Sequence, residues 1–165
     1  MITTKNLLIR EFTLEDSEAY FENNRDGAVR KYMPNHSHEN LNEARDEIRS
    51  FIDNYAGLKM PCHWAVVLAD TGEMIGHVGI GDETTGENEK IFEICCGIKK
   101  EQRGNGYATE ASSAFASWCK RAFGINKICA SAQRENAAAN KTLASAGFTL
   151  NGTGGGEEAD NFYSI

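Results

Sequence analysis

The chain has 165 residues, of which 41% are apolar and 25% charged, and only two are proline. That length suits one domain able to bury roughly 68–70% of its unfolded surface, which excludes whole-chain disorder and removes the need for a disulfide or metal staple. With 17 basic against 24 acidic side chains the net charge is −7, which argues against a nucleic-acid backbone as the main partner, since phosphate binding needs a basic footprint.

In chain order, Leu7 to Phe12 predicts a first strand. Thr13, with Asp16 three residues on, offers the start of a short helix to about Phe21. Residues 25–38, with Pro34 and two histidines, read as a loop with one helical turn. Leu41, Ala44, Ile48, Phe51, Ile52 and Tyr55 recur at helical spacing behind the cap pair Asn40 and Glu43. Trp64 to Ala69 and Met74 to Ile80 are apolar runs around Asp70-Thr71-Gly72-Glu73, a hairpin signal. Ile91 to Ile98 is a third run after an acidic loop, so the three form an antiparallel meander. Tyr107 to Phe123 carries one apolar stripe (Ala108, Ala111, Phe115, Cys119, Ala122) and stops at Gly124. A strand over 127–132, a helix over 136–146, a strand over 148–150 and a last strand over 162–165 complete the pattern. Gly152 to Glu158 reads as an exposed loop. The fold class is α/β with a mixed sheet: an antiparallel first half and a β-α-β-α-β second half, in one domain over 1–165.

The cysteines at 62, 95, 96, 119 and 129 are odd in number and form no CxxC. Reduced thiols in a cytoplasmic protein fit them best. Asn6, Arg10 and Glu11 interrupt any signal-peptide apolar core, and no run approaches the ~18 apolar residues of a membrane span, so no membrane partner is expected. The histidines at 36, 38, 63 and 77 show no metal-ligand spacing, and no metal is expected. Trp64 and Trp118 read as core.

The most informative segment is Gln102-Arg103-Gly104-Asn105-Gly106-Tyr107-Ala108, between the strand ending at Ile98 and the following helix. Its glycines let a ligand approach the backbone, and amides at a helix N-terminus carry partial positive charge, so the loop suits a pyrophosphate. No GxxxxGK[ST] string occurs. A dinucleotide fingerprint would need glycine where Thr109 stands. Glu93 is a carboxylate inside an apolar strand, sharing a face with Cys95 and Gly97. It is a candidate general base, and the same features fit a structural hydrogen-bond acceptor.

Glu101-Gln102-Arg103-Gly104-Asn105-Gly106-Tyr107-Ala108-Thr109-Glu110-Ala111 resembles the phosphate loop of the GNAT acyl-CoA-dependent N-acyltransferases. It is similar to the ribosomal-protein N-acetyltransferase (RimJ/RimL-like) form E-x-R-G-K-G-Y-A-T-E-A, with Asn105 in place of lysine. The opening Leu7 to Phe12, Met74 to Ile80, Glu93-Ile94, and Glu135-Asn136 through Leu143 to Gly147-Phe148 resemble that branch in the same order.

The resemblance implies the GNAT fold and acetyl transfer from acetyl-CoA to an amine, a protein or peptide N-terminus or a small molecule, by direct attack in a ternary complex. It implies pyrophosphate on Arg103, Gly104, Asn105, Gly106, Tyr107 and Ala108. It implies pantetheine along Ile94, Cys96 and Ile98, with Asn136 on the arm and Lys141 helping to hold CoA. Acceptor choice would fall to residues 25–38 and 81–90. Leu143 and Ala139 stand where relatives carry a tyrosine and a serine, so the general acid is not readable and a non-catalytic CoA-binding sensor is the alternative. An acyl-thiol route through Cys95 or Cys96 has no partner base indicated by the sequence. An exposed last strand could pair two chains in a homodimer.

Overall fold

The computed structural model describes residues 1–57, 59–84, 90–154 and 160–165. The expected loop at 152–158 and the acceptor segment 81–90 therefore lie partly outside the described residues.

Among the described residues, eight strands form one mixed sheet: β1 (Ile2–Thr3), β2 (Leu7–Glu11), β3 (Cys62–Leu68), β4 (Met74–Thr84), β5 (Lys90–Ile98), β6 (Cys129–Gln133), β7 (Thr149–Thr153) and β8 (Asp160–Ser164). Their spatial order is β1-β2-β3-β4-β5-β6-β8-β7. All neighbours are antiparallel except β5 and β6, so the sheet divides as the sequence predicts. The helices are α1 (Ser17–Asn23), α2 (Gly27–Tyr32), α3 (Leu41–Tyr55), α4 (Tyr107–Phe123) and α5 (Ala137–Ser145).

Local chemistry fixes the helix ends. The Asn40 side chain accepts the amides of Asn42 and Glu43 at the start of α3. Gly124 ends α4 with φ 66°, in the left-handed region that costs glycine little. The segment read as a loop at 25–38 holds a true helix, α2. Asp26 caps it by accepting the amides of Ala28 and Val29. Six residues are too few to display an apolar period, which is why the pattern missed it.

Helices cover both sheet faces, so all seven residues of β3 are buried. On one face Leu7, Ile9, Trp64, Val66, Val78, Ile80, Ile94 and Ile98 pack with Ala111, Phe115 and Cys119 of α4. Trp64 and Trp118 belong to this core, with ring centroids 4.4 Å apart. On the other face Ala65 and Val67 pack with Phe12, Tyr20, Ala44, Ile48 and Phe51. Each fully buried large side chain contributes roughly 1.5–3 kcal/mol, so the faces together carry most of the stability.

Candidate active site

The loop before α4 begins with a 3-10 turn over Lys100–Gln102. Gly104 and Gly106 both sit at φ 83°, and a Cβ on either would meet nothing within 4 Å. The glycines therefore serve backbone shape and not close packing. Among the described residues, the amides from Gly104 to Thr109 donate to no backbone carbonyl. They are the orphan donors of a helix start, gathered at one point where α4 presents its positive end.

The Arg103 guanidinium does not point freely out of this loop. Its Nε donates to the Ile98 carbonyl at 2.8 Å, and a second nitrogen pairs with the Asp26 carboxylate. Burial opposes the Asp26 charge, but the Val29 amide and Arg103 outweigh it and hold the carboxyl below its usual value. Arg103 thus ties the loop to α2 and to the end of β5.

Beside this loop the sheet opens. The only β5–β6 partners among the described residues are Glu93 and Cys129. From Ile94 to Ile98, β5 pairs with β4 on one edge and, among the described residues, has no partner strand on the other. A ligand lying there can complete backbone hydrogen bonds as an extra strand would. Glu93 stands where the strands part, half-buried, and its carboxylate accepts the Ser131 hydroxyl of β6.

The α1/α3 face carries an unexpected group of side chains. Cross-strand register places His63 opposite Gly79 and Gly79 opposite Cys95. In the next row Ala65, His77 and Gly97 align. His36, from the turn Pro34–His36, lies over them, with ring centroids 5.1 Å from His63 and 4.9 Å from His77. His36 Nε2 is 3.8 Å from Cys95 Sγ, and His36 Nδ1 is 3.2 Å from Glu47 Oε1. The other Glu47 oxygen takes His38 Nε2 at 2.6 Å and the Tyr20 hydroxyl at 2.7 Å. Burial works against a charged His36, but Cys95 and Glu47 outweigh it and lift the ring to about 10. Burial, aided by His36, pushes His63 down to about 3 and His77 well below its ordinary value.

A family model described as the acetyltransferase (GNAT) domain matches residues 6–149. The chain belongs to the GNAT family. As a GNAT acetyltransferase it is an acetyl-CoA-dependent acyltransferase. The uncharacterized N-acetyltransferases YoaA and YnaD of Bacillus subtilis are 29% and 28% identical to it, each over 92% of this chain and 84% of their own length. A GNAT-family acetyltransferase structure from Bacillus anthracis superposes with a TM-score of 0.80 at 24% identity, covering 99% of this chain and 96% of that one. The microcin C7 self-immunity acetyltransferase MccE, solved with acetyl-CoA and AMP, has a TM-score of 0.79 at 17% identity, covering 98% and 93%.

In this GNAT chain the residues expected at the cofactor divide into three groups. Gly104 to Ala108 form the loop and helix start. The Ile94 and Ile98 side chains are buried in the α4-side core and Cys96 packs against it, so only their backbone faces the opening. Burial pushes the Cys96 thiol up to about 12. The Asn136 side-chain Oδ1 caps α5 by accepting the Ala139 amide at 3.1 Å, and Lys141 is exposed on that helix. Leu143 is buried in the core. Linear spacing could not reveal the histidine–cysteine group, because strand register assembles it. Its signal is subtler: in three apolar strands, polar or small residues recur on one face at His63/Ala65, His77/Gly79 and Cys95/Gly97.

Proposed function

We propose that the chain transfers an acetyl group from acetyl-CoA to a primary amine by direct attack within a ternary complex. The observation that carries this reading is the unpaired edge of β5 running towards a loop of orphan amides. The edge suits the pantetheine amides, and the loop suits the pyrophosphate. Because the Arg103 guanidinium is engaged elsewhere, the anion rests on backbone dipoles from Gly104 to Ala108 and not on a free side-chain cation. In this reading Asn136 contacts the pantetheine arm and Lys141 helps to hold CoA. The branch similar to RimJ and RimL, whose ribosomal-protein acetyltransferase structures share the fold, makes peptide N-termini the first acceptors to try.

Glu93 is the base in this reading. A protonated alkyl amine with pKa about 10.4 needs about 4–5 kcal/mol to lose its proton at neutral pH, and a positioned carboxylate lowers that cost. Attack on the thioester then places negative charge on the carbonyl oxygen, where β5 amides can donate. The test is release of CoA thiol with a panel of N-terminal peptides, polyamines and aminoglycosides. Glu93→Gln is expected to lower kcat/KM by about 10²- to 10⁴-fold while acetyl-CoA binding persists. Wild-type turnover in Glu93→Gln would remove Glu93 from the mechanism. Acetyl-CoA binding with no thiol release for any amine would leave a sensor.

A further inference from the structure

We propose that His36, His63, His77 and Cys95 form a binding site for a divalent first-row transition metal of the zinc class. Each offers one ligand atom, and these atoms lie within 4.8 Å of one another. Three imidazoles and a thiolate are the donor set that zinc and its neighbours take, and not that of magnesium or calcium. Bonds of about 2.0–2.3 Å put tetrahedral ligand atoms roughly 3.3–3.6 Å apart, so closure needs the widest separation to shrink by about 1 Å.

A second observation points the same way. Among the described residues, Nδ1 of His63 and both ring nitrogens of His77 are buried without a hydrogen-bond partner. Their residues are 5% and 0% exposed. An unsatisfied buried polar atom costs about 1–3 kcal/mol, so burying two such rings together is unfavourable unless something binds them. The sheet is also shaped for them. A Cβ at Gly79 would lie 2.3 Å from His63 Nδ1, and one at Gly97 would lie 2.8 Å from His77 Cε1. His36 presents one nitrogen towards Cys95 and the other towards Glu47. This is the carboxylate–histidine arrangement that orients a metal-binding imidazole.

Charge closes as well. A dication, the Cys95 thiolate and the Glu47 carboxylate sum to zero with three neutral imidazoles. On ligation Cys95 gives its thiol proton and His36 its Nε2 proton to solvent. Four protein ligands leave no open position, so the ion is structural and pins the 34–36 turn to the sheet. The same contacts read as a Cys95–His36–Glu47 nucleophile triad would leave His63 and His77 unsatisfied, which favours the metal. The site does not depend on the acetyl-transfer reading.

The test uses the full chain, stripped by dialysis against a chelator and titrated with Zn²⁺ and Co²⁺. Stoichiometric uptake, a raised thermal midpoint and a tetrahedral cobalt spectrum with a thiolate-to-metal band are expected. Cys95→Ala should lose that band while Cys129→Ala keeps it. His36→Ala removes a ligand outside the sheet and should abolish stoichiometric uptake, even if strand variants fail to fold. Glu47→Gln should weaken binding about 10- to 100-fold. The proposal is overturned if the folded chain takes up no zinc, or if uptake is unchanged in both Cys95→Ala and His36→Ala. An acetyl thioester on Cys95 after exposure to acetyl-CoA would overturn it in favour of the triad.

Discussion

The two faces of the central strands are built from the same pleat but solve opposite problems. Against α4, Trp64, Val66, Val78, Ile80, Ile94 and Ile98 of β3, β4 and β5 pack into a mainly apolar core, in which the buried Trp64 indole N–H has no partner among the described residues. Against α1 and α3 the alternate positions run Arg10, Ala65, His77 and Gly97 in one row and His63, Gly79 and Cys95 in the next. One face gains its stability chiefly from apolar burial. The other buries groups that need partners, and it finds them unevenly. Arg10 is paired with Asp16 at 2.7 Å. The imidazoles of His63 and His77 have buried nitrogens with no partner among the described residues. A sheet face can therefore be fully covered without being fully satisfied.

Substitutions on each face sharpen this contrast. The largest effect is expected on the apolar side. Phe115→Ala should cost about 3–5 kcal/mol in denaturant unfolding, with the same loss whether or not zinc is present.

Asp16→Asn comes next, at about 2–3 kcal/mol near neutral pH. Burial raises the Asp16 pKa, but the Arg10 hydrogen bond outweighs it and holds the carboxyl below 3.8. A lowered folded-state value means that its stabilisation is present above 3.8 and lost as pH falls through the folded value. The gap between wild type and Asp16→Asn should accordingly close in acid. A constant gap would assign the effect to packing.

The smallest effect has the opposite sign. In metal-free protein, His77→Leu replaces an unsatisfied ring by an apolar side chain and should stabilise by about 1–2 kcal/mol. With zinc present the order should reverse. Destabilisation in metal-free protein would show that His77 finds partners in solution.

Periodic elements were legible in the sequence. The Asn40 cap with its apolar spacing gives α3, and the stripe from Ala108 to Ala122 gives α4 with the observed limits, Tyr107–Phe123. The strand read from residue 127 begins at Cys129, because Ile128 pairs with Ile165 outside the regular ladder. The glycine loop was legible because amide donors and positive φ leave local traces. What Arg103 does was not: its partners are a residue 77 positions away and a strand-end carbonyl. The same holds for His36, His63, His77 and Cys95, whose meeting depends on register across three strands and one turn.

The parting of β5 and β6 after Glu93 has a mechanical consequence. Among the described residues the backbone ladder between the two blocks of strands is a single pair, supplemented by the Ser131–Glu93 hydrogen bond and the shared core under α4, so the splay is the thinnest part of the sheet. A ligand that bonds along the open edge acts as a splint across this seam. Occupancy would then stiffen the C-terminal strands without touching them, and slower amide exchange in β6 and β8 would record it.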